Sequence, residues 1–202
     1  MPRLSREKSQ EQTRERLLAA AAKVFSRAGY GGASIDAIAE DAGFSKGAFY
    51  SNFDSKESVF LELLERHMAQ ELAAGGGLLD GALTPEAAIG LIAERYARDG
   101  DDQMWCLLSI EFALQAARSS TFAARYAALF DTQYRGVADV VVRLAALAGR
   151  QVDDPFSAAV AFVAFRNGLA IDRSAPTPRL SDDAARDVLR RFVHALIGGG
   201  RP

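Results

Sequence analysis

Apolar residues recur with the period of an α-helix along almost the whole chain of 202 residues. In residues 11–28, for example, Leu17, Ala21, Val24 and Phe25 fall on one face of an amphipathic helix. No segment alternates apolar and polar residues with the two-residue period of a half-buried strand. The pattern therefore predicts an all-α fold of about nine helices.

Helix caps and glycines set the predicted helix boundaries, and Ser34 and Ser45 are the expected N-caps of the second and third helices. Gly29 is expected to end the first helix, since glycine readily adopts the conformation that closes a helix. A fourth helix is expected to open at a capping box of Asp54 and Glu57 and to break at the glycines at 75–77. The other eight predicted helices cover residues 11–28, 35–42, 46–52, 85–98, 103–117, 121–147, 155–171 and 181–197.

Positive charge is concentrated near the N-terminus, although the net charge is -2. Residues 1–30 contain seven Lys or Arg against three acidic residues, whereas residues 61–202 contain 15 Arg, 18 acidic residues and no lysine. This asymmetry is typical of a protein that binds a polyanion at one end, but a solvated N-terminal helix would show the same balance.

Residues 35–52 form a helix-turn-helix pattern, in which Gly43 and Phe44 make the turn. The second helix of this motif enters the major groove of DNA with its N-terminal residues nearest the bases. There, Lys46 can reach guanine or a phosphate, and Ala48 can contact a thymine methyl group. We predict eight DNA-contacting residues: Ser34, Ser45, Lys46, Gly47, Ala48, Tyr50, Asn52 and Lys56.

Residues 20–60 resemble the N-terminal DNA-binding domain of the TetR family of transcriptional regulators. The positions that carry the resemblance are Ala21, Phe25, Gly29, Tyr30, Ser34, Ile35, Ile38, Ala39, Ala42, Gly43, Lys46, Gly47, Phe49, Tyr50, Phe53, Lys56 and Glu57. The resemblance implies a three-helix DNA-binding head and a helical ligand-binding and dimerisation domain. Because the composition changes to alanine, leucine and arginine beyond the glycines at 75–77, we place the boundary inside the fourth helix, with the domains at 1–58 and 59–202. The resemblance also implies a homodimer formed through the last two helices, 155–171 and 181–197, and repression that a small molecule relieves.

The sixth predicted helix is apolar on every side and is a candidate lining for a ligand pocket. The predicted ligand-binding residues are Met104, Trp105, Leu108, Glu111 and Phe112, together with Phe165. Glu111 is the exception in this apolar helix, and it needs a partner. Either it pairs with an arginine such as Arg118 or Arg166, or it binds a polar or cationic group of the ligand.

These features favour a ligand-responsive transcriptional regulator, most simply a repressor that binds a palindromic operator as a dimer and is released by a small hydrophobic effector. One alternative is an architectural or activating DNA-binding protein without an effector. Another is an all-α enzyme, which is disfavoured because the sequence contains no nucleophile–base pair, metal-ligand spacing or nucleotide loop.

The sequence predicts neither a metal site nor a cofactor, because the two histidines lie on separate helices and there is one cysteine. Residues 1–10 lack the apolar core of a signal peptide. The longest apolar run, about 10 residues at 156–165, is too short for a membrane span, which needs roughly 20. We therefore expect a cytoplasmic protein that does not enter the membrane.

Overall fold

The structure, a computed structural model, describes residues 6–82, 84–97, 101–118 and 120–198, and these contain helices and connecting turns without any strand. The helices are α1 (Arg6–Gly32), α2 (Ile35–Ala42), α3 (Lys46–Tyr50), α4 (Lys56–Asp80), α5 (Pro85–Ala97), α6 (Asp101–Ala116), α7 (Ser120–Leu147), α8 (Pro155–Arg173) and α9 (Asp182–Gly198). The predicted all-α class is confirmed. Among the described helices, none combines the length and the apolar character that crossing a bilayer requires.

Most helix boundaries lie within two residues of the predicted ones, with differences at the first and fourth helices. Helix α1 begins earlier than predicted and extends to Gly32, but its backbone leaves the helical conformation at Gly29, which has φ 70° and ψ 173°. Gly29 therefore interrupts the helix where the sequence predicts its end. The predicted end of the fifth helix, Arg98, lies outside the described residues.

The predicted break of the fourth helix at the glycines at 75–77 is wrong, because α4 continues to Asp80. The helix is held beyond the glycines by its packing, since Leu79 is buried in a cluster with residues of α5 and α7. Arg143 on α7 also donates to the carboxylate of Asp80 and to the carbonyl of Gly76. These tertiary contacts outweigh the low helix propensity of glycine, which costs about 1 kcal/mol per residue.

The cap of α4 also differs from the predicted pair of Asp54 and Glu57. Ser55 and Ser58 bond reciprocally, each hydroxyl oxygen accepting the backbone N–H of the other residue at 3.1 and 3.3 Å. This is the geometry of a capping box, shifted by one residue and built with serine at both positions.

The chain divides into two compact units. The first contains Met1–Arg66 and Leu108–Ala123, and the second contains His67–Leu107 and Ala124–Pro202. Helices α4 and α6 therefore each contribute residues to both units.

The core of the first unit is an aromatic cluster. Phe60 lies at its centre, with ring centroids 5.2 Å from Phe25, 5.0 Å from Tyr30 and 4.7 Å from Phe112. Phe25, Phe60 and Phe112 are almost wholly buried. The C-terminal half of α6 thus completes the core that α1 and α4 begin.

The second unit is built around α5 and α9, which pack along each other. Apolar residues of α4, α5, α7, α8 and α9 form its larger cluster, which includes Ile89, Leu144, Phe162 and Val193. A smaller cluster around Leu189 joins α5, α8 and α9. Burial of these apolar faces is the main force that holds the unit together.

Candidate nucleic-acid interface and ligand cavity

Two serines and a glycine shape the helix-turn-helix. The hydroxyl oxygens of Ser34 and Ser45 accept the backbone N–H groups of Ala37 and Ala48, at 3.1 and 3.2 Å, and so cap α2 and α3. Gly43 closes α2 with a left-handed φ of 73°. Its N–H donates to Glu40 while the next N–H donates to Ala39, which is the Schellman arrangement.

Helix α1 supports this turn from the side. The guanidinium of Arg16 donates to the carbonyl of Ala42 at 2.9 Å and lies 4.6 Å from the ring centroid of Phe44. It thereby satisfies one of the carbonyl groups that the end of α2 leaves without a helical partner.

Helix α3 presents its polar side chains to solvent. Tyr50 is 51% exposed, and its ring meets that of buried Phe49 edge to face. The ammonium of Lys46 bonds to the carboxylate of Asp36 at 3.0 Å, and this hydrogen bond raises the pKa of Lys46, which keeps it charged. A Cβ at Gly47 would meet nothing closer than the Ser45 hydroxyl at 3.7 Å, so the backbone there is open to close approach.

Two predicted DNA-contacting residues use their polar groups inside the head. Lys56 donates to the carbonyl oxygens of Tyr30 and Ala33, both at 2.8 Å, with its ammonium 4.5 Å from the Tyr30 ring centroid. The amide of Asn52 donates to the carbonyl of Ala48 at 2.8 Å. The contacts of Lys56 join parts of the head that are far apart in the chain, and that of Asn52 closes one helical turn. Both therefore stabilise the head.

The structure brings five of the predicted contact residues together on one short helix and its cap: Ser45, Lys46, Gly47, Ala48 and Tyr50. Ser34 lies at the start of α2 and is exposed. An exposed helix with a lysine, a phenol and an open glycine matches what a major-groove contact requires.

Glu111 has a partner that the sequence did not suggest. Its carboxylate accepts the backbone N–H groups of Tyr30 at 2.8 Å and Gly31 at 2.6 Å, and neither Arg118 nor Arg166 pairs with it. The kink at Gly29 turns these two N–H groups away from the helical ladder. Glu111 therefore works as a cap on the kinked end of α1, within the first unit.

Phe112 borders a cavity of about 320 Å³ in the first unit. Tyr30, Lys56 and Glu57 also line this cavity. Burial, followed by the neighbouring carboxylate of Glu57, raises the pKa of Tyr30, so its phenol stays protonated.

The other predicted ligand residues pack elsewhere. Trp105 stacks on His67 with ring centroids 5.1 Å apart, and Phe165 stacks on Phe192 at 4.1 Å. Leu108 is buried, and Met104 is half-buried.

A second cavity, of about 50 Å³, lies in the second unit among apolar side chains of α4, α5, α7, α8 and α9. The cavity is partly open to solvent, so this volume covers only its enclosed part. Its polar lining consists of Glu71, Tyr96, Gln133 and Arg166. Residues 104–112 and Phe165 are not among those that line it, so the sequence-predicted ligand residues and this cavity do not coincide.

Sequence periodicity could not have identified this cavity. Leu144, Phe162 and Val193, which line it, are ordinary core positions by their helical spacing. The available signal was the presence of Glu71, Gln133 and Arg166 on otherwise apolar helix faces.

Family models match most of the chain. Residues 17–63 match the model described as "Bacterial regulatory proteins, tetR family". Residues 85–198 match the model described as "BetI-type transcriptional repressor, C-terminal". The two matches fall on the helix-turn-helix region and on α5–α9.

Curated relatives resemble mainly the head. The first three are 34 to 45% identical over 53 to 59 residues, and the chain spans only 20 to 27% of their length. A longer match is to the HTH-type transcriptional repressor AcnR of Corynebacterium efficiens, which is 27% identical over 134 residues. That match covers 65% of this chain and 63% of AcnR.

Solved structures share the fold over nearly the whole chain. A transcriptional regulator from Saccharomonospora viridis, in complex with choline, has a TM-score of 0.73 and 21% identity, covering 91% of this chain and 96% of that one. The regulator FadR from Bacillus subtilis, in complex with stearoyl-CoA, has a TM-score of 0.63 and 15% identity, covering 93% and 99%.

Proposed function

Because the chain belongs to the TetR family of bacterial transcriptional regulators, we propose that it binds DNA and acts as a homodimeric repressor of a palindromic operator. The observation that carries the proposal is an exposed α3 inside a chain that both family models match. Repression is supported by two matches of the chain, one to the BetI-type repressor model and one to the repressor AcnR.

In this proposal α3 of each protomer enters the major groove of one half-site. Lys46 contacts guanine or a phosphate, Tyr50 donates to a phosphate, and Gly47 and Ala48 allow close approach to the base edges. A two-fold dimer places the two half-sites about 34–36 Å apart, or a multiple of that spacing.

The proposed dimer forms through α8 and α9. Phe156, Val160 and Ile171 are large apolar residues of α8 that remain exposed, and their spacing places them on one helix face. A second copy of the chain that covers this face would remove their apolar surface from water, as interface cores do.

The proposed effector is a small, largely hydrophobic molecule bound in the cavity of the second unit. Structural neighbours of the chain bind choline and stearoyl-CoA, which supports a ligand site in this fold. Helix α4 contributes residues to both units. If the protein has two conformations that differ in the position of α4, a ligand that binds one of them more tightly would change the affinity for DNA.

The test is fluorescence anisotropy with DNA from upstream of the gene, measured over a salt series. The wild type should bind with an affinity that falls linearly with the logarithm of salt concentration. The double variant Lys46→Ala/Tyr50→Phe should bind more weakly, with a slope reduced by about 1 for the lost lysine contact.

Arg125→Ala is the matched control, since Arg125 is an exposed cation in the second unit. It should leave the slope unchanged. Equal binding by all three proteins would contradict the proposed role of α3. Selecting bound DNA from a pool of random sequences would then show whether the tested DNA simply lacked the operator.

A further inference from the structure

Gln133 and Arg166 both line the apolar cavity, and each has a buried polar atom without a hydrogen-bond partner. Gln133 is 4% exposed, and its Oε1 makes no hydrogen bond; the Nε of Arg166 is also buried and unbonded. Buried polar groups are almost always paired, and leaving one unpaired costs stability. An acceptor and a donor without protein partners in one cavity indicate a polar site, which is completed by water or by a polar group of a ligand.

Arg166 brings a positive charge to this cavity. It lies on the same face of α8 as Phe162 and Val163, which also line the cavity. Its guanidinium is 5.7 Å from the ring centroid of Tyr96, and no carboxylate in the described part of the chain pairs with it. A contact with a ring does not satisfy N–H donors, so the guanidinium retains its capacity for an anion.

The carboxylate in the same cavity is already neutralised. Glu71 is buried and forms an ion pair with Arg95. A cationic ligand would have to compete with Arg95 for this carboxylate. The charge that remains to be balanced is therefore that of Arg166.

We propose that this cavity binds an amphipathic anion, a molecule with an apolar body and one carboxylate group. The carboxylate accepts from the guanidinium of Arg166 through two parallel N–H groups. Rotation of the Gln133 amide by half a turn directs its NH₂ group to the same carboxylate. The inference rests on the proposed ligand-binding role of the second unit and adds the charge of its ligand.

Matched eight-carbon probes test the charge preference. Isothermal titration calorimetry of the full-length protein uses octanoate, 1-octanol and octylamine, all below the concentration of micelle formation. Octanoate should bind at least about tenfold more tightly than either of the others, as expected for a charge-assisted, bidentate contact. Butanoate and dodecanoate then report the chain length that the apolar walls accept.

Variants assign the preference to residues. Arg166→Gln should reduce octanoate binding to the level of octanol, and Gln133→Leu should weaken it several-fold. Arg166→Lys keeps the charge without the planar fork, so it should retain a weaker preference for octanoate. Arg125→Gln, which removes an exposed arginine of the same unit, should change nothing.

In the calorimetry, the inference is overturned if none of the three carboxylates binds, or if octanol or octylamine binds as tightly as octanoate. Anisotropy with operator DNA separates this from the proposed function. Octanoate binding that leaves operator affinity unchanged would refute the effector role while the site stands. Operator binding released by an uncharged compound alone would refute the anion site while the repressor stands.

Discussion

At the scale of single residues, Glu111 offers the sharpest test, because its carboxylate holds two backbone N–H groups of the kinked end of α1. Glu111→Ala should lower the free energy of unfolding by about 1–2 kcal/mol, the cost of leaving partly buried donors unpaired. Glu111→Gln keeps an acceptor oxygen but loses the charge. Its free energy of unfolding should therefore lie between those of the wild type and Glu111→Ala. Urea denaturation followed by circular dichroism measures the differences.

Glu65→Ala is the control for Glu111, since Glu65 is an exposed carboxylate of the same unit. It should change stability by less than about 0.5 kcal/mol. Equal effects of the two substitutions would mean that the contacts of Glu111 with Tyr30 and Gly31 do not stabilise the head.

The sequence predicted the caps of α2 and α3, whose deciding contacts are local. Ser34 and Ser45 cap their helices because each hydroxyl reaches an N–H three residues away, a distance that the sequence itself displays. The two partners of Glu111 lie 80 and 81 residues away, and those of Lys56 lie 23 and 26 residues away. Such partners depend on tertiary packing, which the spacing of residues does not reveal.

At the scale of helices, the glycines differ in what they contribute. Gly77 is exposed in α4 with nothing within 4 Å of an added Cβ, whereas Gly43 has a φ of 73°. Gly77→Ala should therefore raise the free energy of unfolding by about 0.5–1 kcal/mol, since it restricts the unfolded chain. Gly43→Ala should lower it by about 1–2 kcal/mol, the cost of a left-handed alanine.

Urea denaturation of the wild type and both variants measures these two changes in the free energy of unfolding, which are expected to have opposite signs. A loss of stability in Gly77→Ala would indicate that α4 requires flexibility at its glycines. The wrong prediction of a break there has the same origin: propensity was read from three glycines, while Leu79 and Asp80 beyond them are held by α5 and α7.

The N-cap of α8 makes a pH-dependent contribution to the free energy of unfolding. The hydroxyl and the backbone N–H of Ser157 bond to the carboxylate of Asp154, and they lower the pKa of Asp154. A depressed pKa in the folded state gives stability that is present above the unfolded pKa of about 3.9 and is lost as the pH falls through the folded pKa.

Asp154→Asn keeps the capping geometry and removes the charge, so it isolates the contribution of the charge to stability. The wild type should be the more stable protein by the same margin at pH 7 and pH 5, and the margin should shrink below about pH 4. Thermal denaturation at these values measures it. A margin that grows on acidification would contradict the assigned direction.

At the scale of the whole molecule, the sequence predicted the fold class and the head because periodicity and caps repeat over many residues. It did not predict the cavity of the second unit, because five helices line it and the sequence of one helix does not show which other helices it packs against. Five of the six predicted ligand-binding residues lie on α6, which is apolar all round, and the sixth, Phe165, lies on α8. In the structure, Glu111 and Phe112 of α6 complete the first unit instead.

Dimerisation is the property of the whole molecule that the proposed function most depends on. Val160 is 37% exposed on the apolar face of α8, and Val160→Arg places a charge where a second copy is expected to pack. Light scattering coupled to gel filtration should then report the 21.7 kDa of one chain, against twice that mass for the wild type. Operator affinity should fall at least about tenfold, because each half-site must be bound separately.

Leu114→Arg is the matched control, since Leu114 is 57% exposed on α6 in the first unit. It should remain a dimer, because the proposed interface is confined to α8 and α9. A Val160→Arg protein that stays dimeric while Leu114→Arg becomes a monomer would move the interface to α6. In that case the two copies of α3 would be spaced by a different element, and the expected half-site separation would have to be derived anew from that contact.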